Sequence, residues 1–375
     1  MPVLRRYLHT NQPLEVYFKD EQTYSFWNNR KRLAEMYLKL AHLLPQQFQV
    51  TGVLICNPAK YQQLIDKWKL TVYSSIEHLA AESDFVVLAV SKTAAASLLL
   101  GLAALQVPVL AETPTASTPA EYELLRSSAM DSPLIQIAEQ YPLLPHHQAR
   151  TAYIQTGHLG EVGHVQVSVA HGYHGISLIR KWLSITGTAC EITARRLEVP
   201  IMDFSYRGRE TEDDLKTEQQ DIAIMVFPSG KSAVLDFTRS QYFSPLRTNR
   251  VLIRGSHGEI RDNEIIRRLG TEETEYMNIS RIQGGQEGSL ESLSLHELRA
   301  GQLSLFQNPF HPSPLSDEEV GIGQALLNMS SFLHTGISAY SLADALTDIR
   351  LSFAVDEAIT LGSTITLQDE IRPAK

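Results

Sequence analysis

The stretch DFVVLAVSKTAAASLLLGLAALQVPVLAETPTAS (residues 84–117) decides the fold. After Asp84, the segments DFVVLAV (84–90) and VPVLA (107–111) are short, apolar and rich in β-branched side chains, the composition of strands buried on both faces of a parallel sheet. Between them, Thr93 to Gln106 is rich in alanine and leucine and contains no proline, so it reads as a helix. Two parallel strands need such a crossover, and the helix packs back on the sheet that they form. Upstream, VTGVLI (50–55) is a further strand. Leu33, Met36, Tyr37, Leu40, Leu43 and Leu44 line one face of a helix that Pro45 ends. LEVYF (14–18) is the best candidate for a first strand, although the polar and aromatic residues after it are too many for a tight strand-to-helix turn.

Beyond Thr115 the texture changes. Pro114, Ser117, Thr118 and Pro119 mark a connection, and longer strands follow. In HVQVSVA (164–170), Val165, Val167 and Val169 alternate with His164, Gln166 and Ser168, the period of a sheet with one wet face. Further strands are expected at 188–197, 221–227, 231–238 and 250–254. Two helices close the chain. One starts at Ser316 with Glu319 completing a capping box; the other starts at Ser341 with Asp344 three residues on and Gly362 past its end. The expected fold class is an α/β Rossmann-like domain over 1–118 plus an α+β domain over 119–375 with a large, mostly antiparallel, open-faced sheet, the C-terminal helix returning to pack on the first domain.

A length of 375 residues suits two domains, and 43% apolar with 20% charged residues is ordinary globular composition. A net charge of -9 argues against nucleic acid as a partner. Cys56 and Cys190 are too few for a disulfide framework or a Cys-based zinc site, which fits a reducing, cytoplasmic setting. Arg5, Arg6, His9 and Asn11 break any signal-peptide core at the N-terminus. Phe85 to Leu110 is the most apolar stretch, but Ser91, Lys92, Thr93, Gln106 and Pro108 interrupt it, so a membrane span is not expected. No metal site is expected, because the His146–His147 pair follows Pro145 with no ligand-spaced acid.

Taken in order, DFVVLAVSK, VLAETPTA, TGHLGEVGHVQV (156–167), GYHGISLIRKWL (172–183) and VLIRGSHGEI (251–260) resemble the Gfo/Idh/MocA family of NAD(P)-dependent oxidoreductases over residues 33–365. The resemblance implies NAD or NADP as cofactor and a sugar, polyol or related small carbonyl compound as substrate. It implies that Ala89, Val90 and Ser91 lie against the cofactor and that Glu112, Thr113 and Pro114 form the turn that presents backbone to the nicotinamide ribose. Gln140 and Tyr141, after Glu139, are expected in the substrate pocket, and a homo-oligomer built through the second-domain sheet is the expected assembly.

The departures are specific. No glycine precedes Gly52, whereas a Rossmann turn needs glycines to bring backbone and helix N-terminus onto the pyrophosphate. WNNRKR (27–32) stands there instead: Asn28 and Asn29 tolerate left-handed backbone and Arg30, Lys31 and Arg32 offer charge, although a solvated helix start is the plainer reading. Residues 1–30 thus depart from the family's usual beginning, as a displaced start or shifted reading frame would explain. At the end of the second strand, Asn57 replaces the usual acid: it can still hydrogen-bond a cofactor ribose, no charge there chooses between NAD and NADP, and Asn57-Pro58 also reads as a simple turn.

Oxidation of a carbinol needs a group to take the hydroxyl proton, and histidine suits neutral pH. His174 matches the family's active-site histidine in a D-x-G-x-H-x-x-D pattern, of which Gly172 and His174 remain while Ala170 and Ser177 replace the aspartates. Ile176, Ile179, Trp182 and Leu183 place a helix start near Gly175, putting His174 at a positive helix end that disfavours imidazolium. Thr113 stands where the family has lysine: it keeps one hydrogen bond and loses the charge. His171, Tyr173 and Arg180 are the nearby replacements, with Arg180 either a substrate residue or the partner of an acid on a neighbouring element. The leading reading is an NAD(P)-dependent oxidoreductase. The alternative is a non-catalytic relative that binds a dinucleotide or metabolite and regulates a partner.

Overall fold

The computed structural model describes residues 12–18, 29–55, 57–205, 210, 214–285, 289 and 292–369. Contacts divide the chain into one unit of Met1–Leu143 with Pro312–Leu346, and another of Leu144–His311 with Thr347–Lys375.

The first unit starts with β1 (Gln12–Phe18), α1 (Asn29–Leu43) and β2 (Phe48–Ile55), followed by the short helices α2 (Gln62–Trp68) and α3 (Ile76–Ala81). Then come β3 (Phe85–Leu88), α4 (Lys92–Ala104), β4 (Val109–Ala111), α5 (Pro119–Ser128) and β5 (Ile135–Ile137). Among the described residues the sheet runs β2-β1-β3-β4-β5 and every pairing is parallel. A single parallel bridge from Val53 to Val72 extends it past β2. The candidate strand LEVYF therefore takes the central place, between β2 and β3, that a first Rossmann strand occupies. Its connection to α1, including Trp27 and Asn28 and residues 19–28 as a whole, lies outside the described residues, as does Cys56.

Strand β3 is buried along its whole length, with Val86 and Val87 fully inaccessible, and Leu99 and Leu102 of α4 are equally buried. Each such side chain contributes about 1.5–3 kcal/mol by leaving water. Strand β5 continues the parallel sheet beyond residue 118, the boundary expected from sequence, so the first unit extends to Leu143. Helix α5 links the two regions; Pro119 is in its first turn and Thr118 and Glu121 form a capping box.

The second unit begins with α6 (Pro145–Gln155), β6 (Val162–Ser168), α7 (Gly172–Leu183), β7 (Cys190–Met202), β8 (Leu215–Val226) and β9 (Ser232–Thr238). Hairpins follow: β10 (Arg250–Gly255), β11 (Gly258–Arg261), β12 (Glu264–Arg268), β13 (Thr274–Gly285), β14 (Leu293–Ala300) and β15 (Leu303–Gln307). Helix α8 (Asp317–Thr335) belongs to the first unit; α9 (Leu342–Leu361) starts there and ends in the second, where β16 (Ile365–Leu367) pairs with β7. Among the described residues the large sheet runs β15-β14-β13-β12-β11-β10-β6-β9-β8-β7-β16, antiparallel except for β6 with β9.

One face of this sheet is wet. On β7, Cys190, Ile192 and Ala194 are buried while Glu191, Thr193 and Arg195 are exposed; on β8, Ala223 and Met225 are buried while Ile224 and Val226 are exposed. The other face carries α7, and Gly175 makes that approach possible: a Cβ there would lie 2.4 Å from Leu235 Cδ1 of β9 and 2.8 Å from the Ala170 carbonyl. The Gly255–Gly258 turn joins β10 to β11, as the VLIRGSHGEI pattern implies. Both expected capping boxes form. Ser316 and Glu319 cap α8, and Ser341 Oγ donates to Asp344 Oδ2 at 2.7 Å while accepting from Asp344 N at 3.1 Å. The return of the chain to the first unit is made by α8 and the segment after it: Ile137 N donates to Tyr340 O, and Lys39 of α1 pairs with Glu319.

Candidate functional site

In the first unit the implied cofactor residues lie at carboxyl ends of parallel strands, where open α/β sheets bind ligands. Ala89 and Val90 follow β3 and are buried, and Ser91 is the N-cap of α4. Glu112, Thr113 and Pro114 follow β4; the Thr113–Pro114 peptide is cis and Pro114 is buried. Glu112 is held from behind: the Tyr37 hydroxyl donates to its Oε1 at 2.5 Å, and Thr113 N approaches Oε2 at 3.4 Å. Tyr37 is fully buried, and burial first, then the Glu112 charge, pushes its phenol well above the ordinary tyrosine range. The phenol is therefore a fixed donor. Tyr37 was legible only as an apolar-face residue of α1; nothing in its spacing indicated the carboxylate that it meets.

Asn57 follows β2, where its side chain accepts from Lys60 N at 3.4 Å and caps the 3-10 turn Pro58–Tyr61. Beside it opens a cavity of about 510 Å³ lined by Leu54, Ile55, Pro58, Val72, Tyr73, Ser74 and Ser75. Its lining mixes Leu54, Ile55 and Val72 with Ser74 and Ser75, and it lies at the end of a parallel strand, where sheets of this type bind dinucleotides. Gln140 and Tyr141 also belong to this unit, after β5; Tyr141 N donates to Oε1 of the buried Glu139 at 3.1 Å.

The second unit brings His171, Tyr173 and His174 together. Helix α7 starts at Gly172, earlier than expected, with His171 as N-cap and Gly172 at φ +43°. His174 thus lies within the first turn, and its N–H already bonds the His171 carbonyl. His174 is 8% exposed; its ring lies 4.3 Å from Tyr173 and 5.2 Å, edge on, from His171. Tyr242 completes the cluster. The main-chain N–H of His171 donates to the Tyr242 oxygen at 3.2 Å, and the same oxygen lies at hydrogen-bond distance, 2.8 Å, from His171 Nδ1. Phe237 packs on Tyr242 at 4.9 Å. Sequence reasoning missed Tyr242, yet a signal was present: Thr238 and Gln241 form a capping box, and Gln241 Nε2 donates to Ser168 O, tying the Arg239–Tyr242 turn to the end of β6.

Ser177, which replaces a family aspartate, donates its hydroxyl to the His174 carbonyl at 2.8 Å within its own helix. Arg180 Nη1 donates to Asp348 Oδ1 of α9 at 2.7 Å, and the two side chains are 7% and 3% exposed. A buried guanidinium needs such a counter-charge, so the structure supplies the acid on a neighbouring element that one of the two expectations for Arg180 called for.

No curated protein sequence matches the chain. Residues 30–135 match the family model described as the oxidoreductase family with an NAD-binding Rossmann fold, Gfo/Idh/MocA. That segment belongs to the Gfo/Idh/MocA family. Several solved structures share the fold of the whole chain. Levoglucosan dehydrogenase in complex with NADH has a TM-score of 0.65 at 15% identity, covering 96% of this chain and 100% of its own. A myo-inositol dehydrogenase from Corynebacterium glutamicum has a TM-score of 0.63 at 13% identity, covering 95% and 99%. An oxidoreductase from Agrobacterium radiobacter, in complex with NAD+, L-tartaric acid and magnesium, has a TM-score of 0.62 at 16% identity, covering 95% and 98%. At such identities these likenesses show the fold alone. Among the described residues, no helix is long and apolar enough to cross a membrane.

Proposed function

We propose that this chain is an oxidoreductase of the Gfo/Idh/MocA type that acts on a sugar, polyol or related small carbonyl compound with NAD or NADP. The observation that carries this reading is the His171–Tyr173–His174–Tyr242 cluster at the start of α7, a set of proton-handling groups in one place. When bound, the nicotinamide supplies the hydride acceptor or donor. His174 takes the substrate hydroxyl proton, with its ring fixed between Tyr173 and His171. The phenol of Tyr242 donates to His171 Nδ1, which leaves Nε2 carrying the proton and able to donate to the reacting oxygen.

On the cofactor side, Ala89, Val90 and Ser91 pack against the dinucleotide, and Tyr37 holds Glu112 so that the turn through Thr113 and Pro114 keeps its place. Gln140 and Tyr141 contribute to substrate binding. A homo-oligomer built on the wet face of the large sheet is part of the proposal, supported by exposed Leu197, Ile224 and Val226 on β7 and β8. A cytoplasmic setting is also proposed, on the low cysteine content.

A second reading, a non-catalytic binder, draws support from uncharged Thr113 and from the commitment of Arg180 to Asp348. Fluorescence titration with NADH and NADPH, followed by turnover on a panel of polyols and carbonyl compounds, separates the two. Binding with turnover is expected. Binding without turnover on any compound favours the binder, and no binding of either dinucleotide removes the oxidoreductase and leaves only a binder of some other metabolite.

A further inference from the structure

The β15 edge of the large sheet holds two imidazoles that the chemistry proposed at α7 does not use. Ile282 of β13 pairs with Glu297 of β14 and Gln283 with Leu295, so His296 is an extra residue in its strand, a β-bulge. Bulges re-aim a side chain and recur beside functional sites. The His296 carbonyl accepts from Asn308 N at 2.9 Å. Asn308 is buried; its Nδ2 donates to Leu295 O at 2.8 Å and its Oδ1 accepts from Phe310 N at 3.1 Å. These bonds fix the turn that carries His311 onto the bulged part of β14. Both histidines are exposed, and their ring centroids lie 4.7 Å apart with an interplanar angle of 36°. The hydroxyl of the fully buried Ser294 is 3.2 Å from His311 Nδ1, which leaves Nε2 as the nitrogen of that ring able to coordinate. Imidazoles on neighbouring positions of one Zn2+ or Cu2+, with metal–nitrogen distances of about 2.0–2.1 Å, keep their ring centres about 4.5–5 Å apart. A ligating histidine also has its second ring nitrogen held by a hydrogen-bonding partner, the part that Ser294 plays here.

We propose that His296 and His311 form a surface site for one divalent transition-metal ion, Zn2+ or Cu2+, with one nitrogen from each ring as ligand. Nitrogen donors select these ions over Mg2+ and Ca2+, which take oxygen. Among the described residues no group of three or more His, Cys, Asp or Glu side chains gathers for a metal, so water completes the coordination. The site is independent of the dinucleotide reading.

The test uses the full chain without a polyhistidine tag, titrated calorimetrically with ZnCl2, CuCl2, MgCl2 and CaCl2. One equivalent of Zn2+ or Cu2+ per chain is expected to bind, and neither Mg2+ nor Ca2+. The electron paramagnetic resonance spectrum of the Cu2+ form should show coupling to two imidazole nitrogens, a signature read on the wild-type chain and so independent of how any variant folds. His296→Ala and His311→Ala should each weaken binding by at least about tenfold, the least that loss of even an outer-shell partner costs. Because both side chains are exposed, the metal-free variants should melt with the wild type. Binding no tighter than that of imidazole in solution overturns the proposal. So does a metal that stays bound in both variants, and its loss in His171→Ala would then assign it to the histidines at the start of α7, whose rings lie 5.2 Å apart.

Discussion

The Arg180–Asp348 pair shows how much a single side chain depends on a distant partner. Removing Asp348 leaves a guanidinium buried without its counter-charge, so Asp348→Ala should cost about 3–5 kcal/mol in a urea unfolding experiment. A loss under 1 kcal/mol would mean that the pair is solvated. The proton content of a residue can be tested in the same way at His147. This ring is 6% exposed, accepts from Arg150 Nη1 at 2.9 Å through Nδ1 and lies 5.5 Å from Trp182. Burial, then the Arg150 charge, holds it well below its ordinary range, so it is neutral in the folded chain. The unfolded chain binds that proton near pH 6.5 and the folded one does not, so stability falls as the pH drops below about 6.5, by about 1.4 kcal/mol per unit for one proton. His147→Asn, which keeps an acceptor near Nδ1, should flatten that slope; an unchanged slope would assign it to other groups. Sequence offered Arg180 an acid on a neighbouring element without naming it and gave His147 no role, because Asp348 and the residues around His147 come together only after the helices pack.

At the scale of elements, local chemistry was more legible. The crossover helix, its flanking strands, the period-two strand through Val165 and Val167 and the capping boxes at Ser316 and Ser341 all follow from propensity and capping, and all form. The start of α7 was placed near Gly175 because the apolar repeat begins there, whereas the first turn is polar and is fixed by His171 and Gly172. The strands after β11 went unread, since β12 and β13 carry mostly charged and polar side chains and show little apolar run. The end of α7 makes a prediction of its own. Ser184 caps it at φ +56° and ψ +47°, a conformation that costs a residue with a Cβ roughly 1 kcal/mol and glycine almost nothing. Ser184→Gly should raise the melting temperature by about 2–4 °C; a decrease would show that the hydroxyl matters more than the backbone.

For the whole molecule, the open sheet face sets the expectation of self-association. Ile224→Lys places a charge among exposed Leu197 and Val226, and sedimentation velocity should show wild type as an oligomer and the variant as a monomer. A monomeric wild type would remove that part of the account. The central claim is that one imidazole at the start of α7 accepts the proton of an oxidised hydroxyl. The most direct measurement is kcat for dinucleotide-dependent oxidation of the best polyol in the panel, compared between wild type and His174→Ala, with NAD(P)H affinity measured alongside. The account predicts a fall of about 10²–10⁴-fold in kcat with dinucleotide affinity retained. A variant that turns over within a few fold of wild type would contradict it.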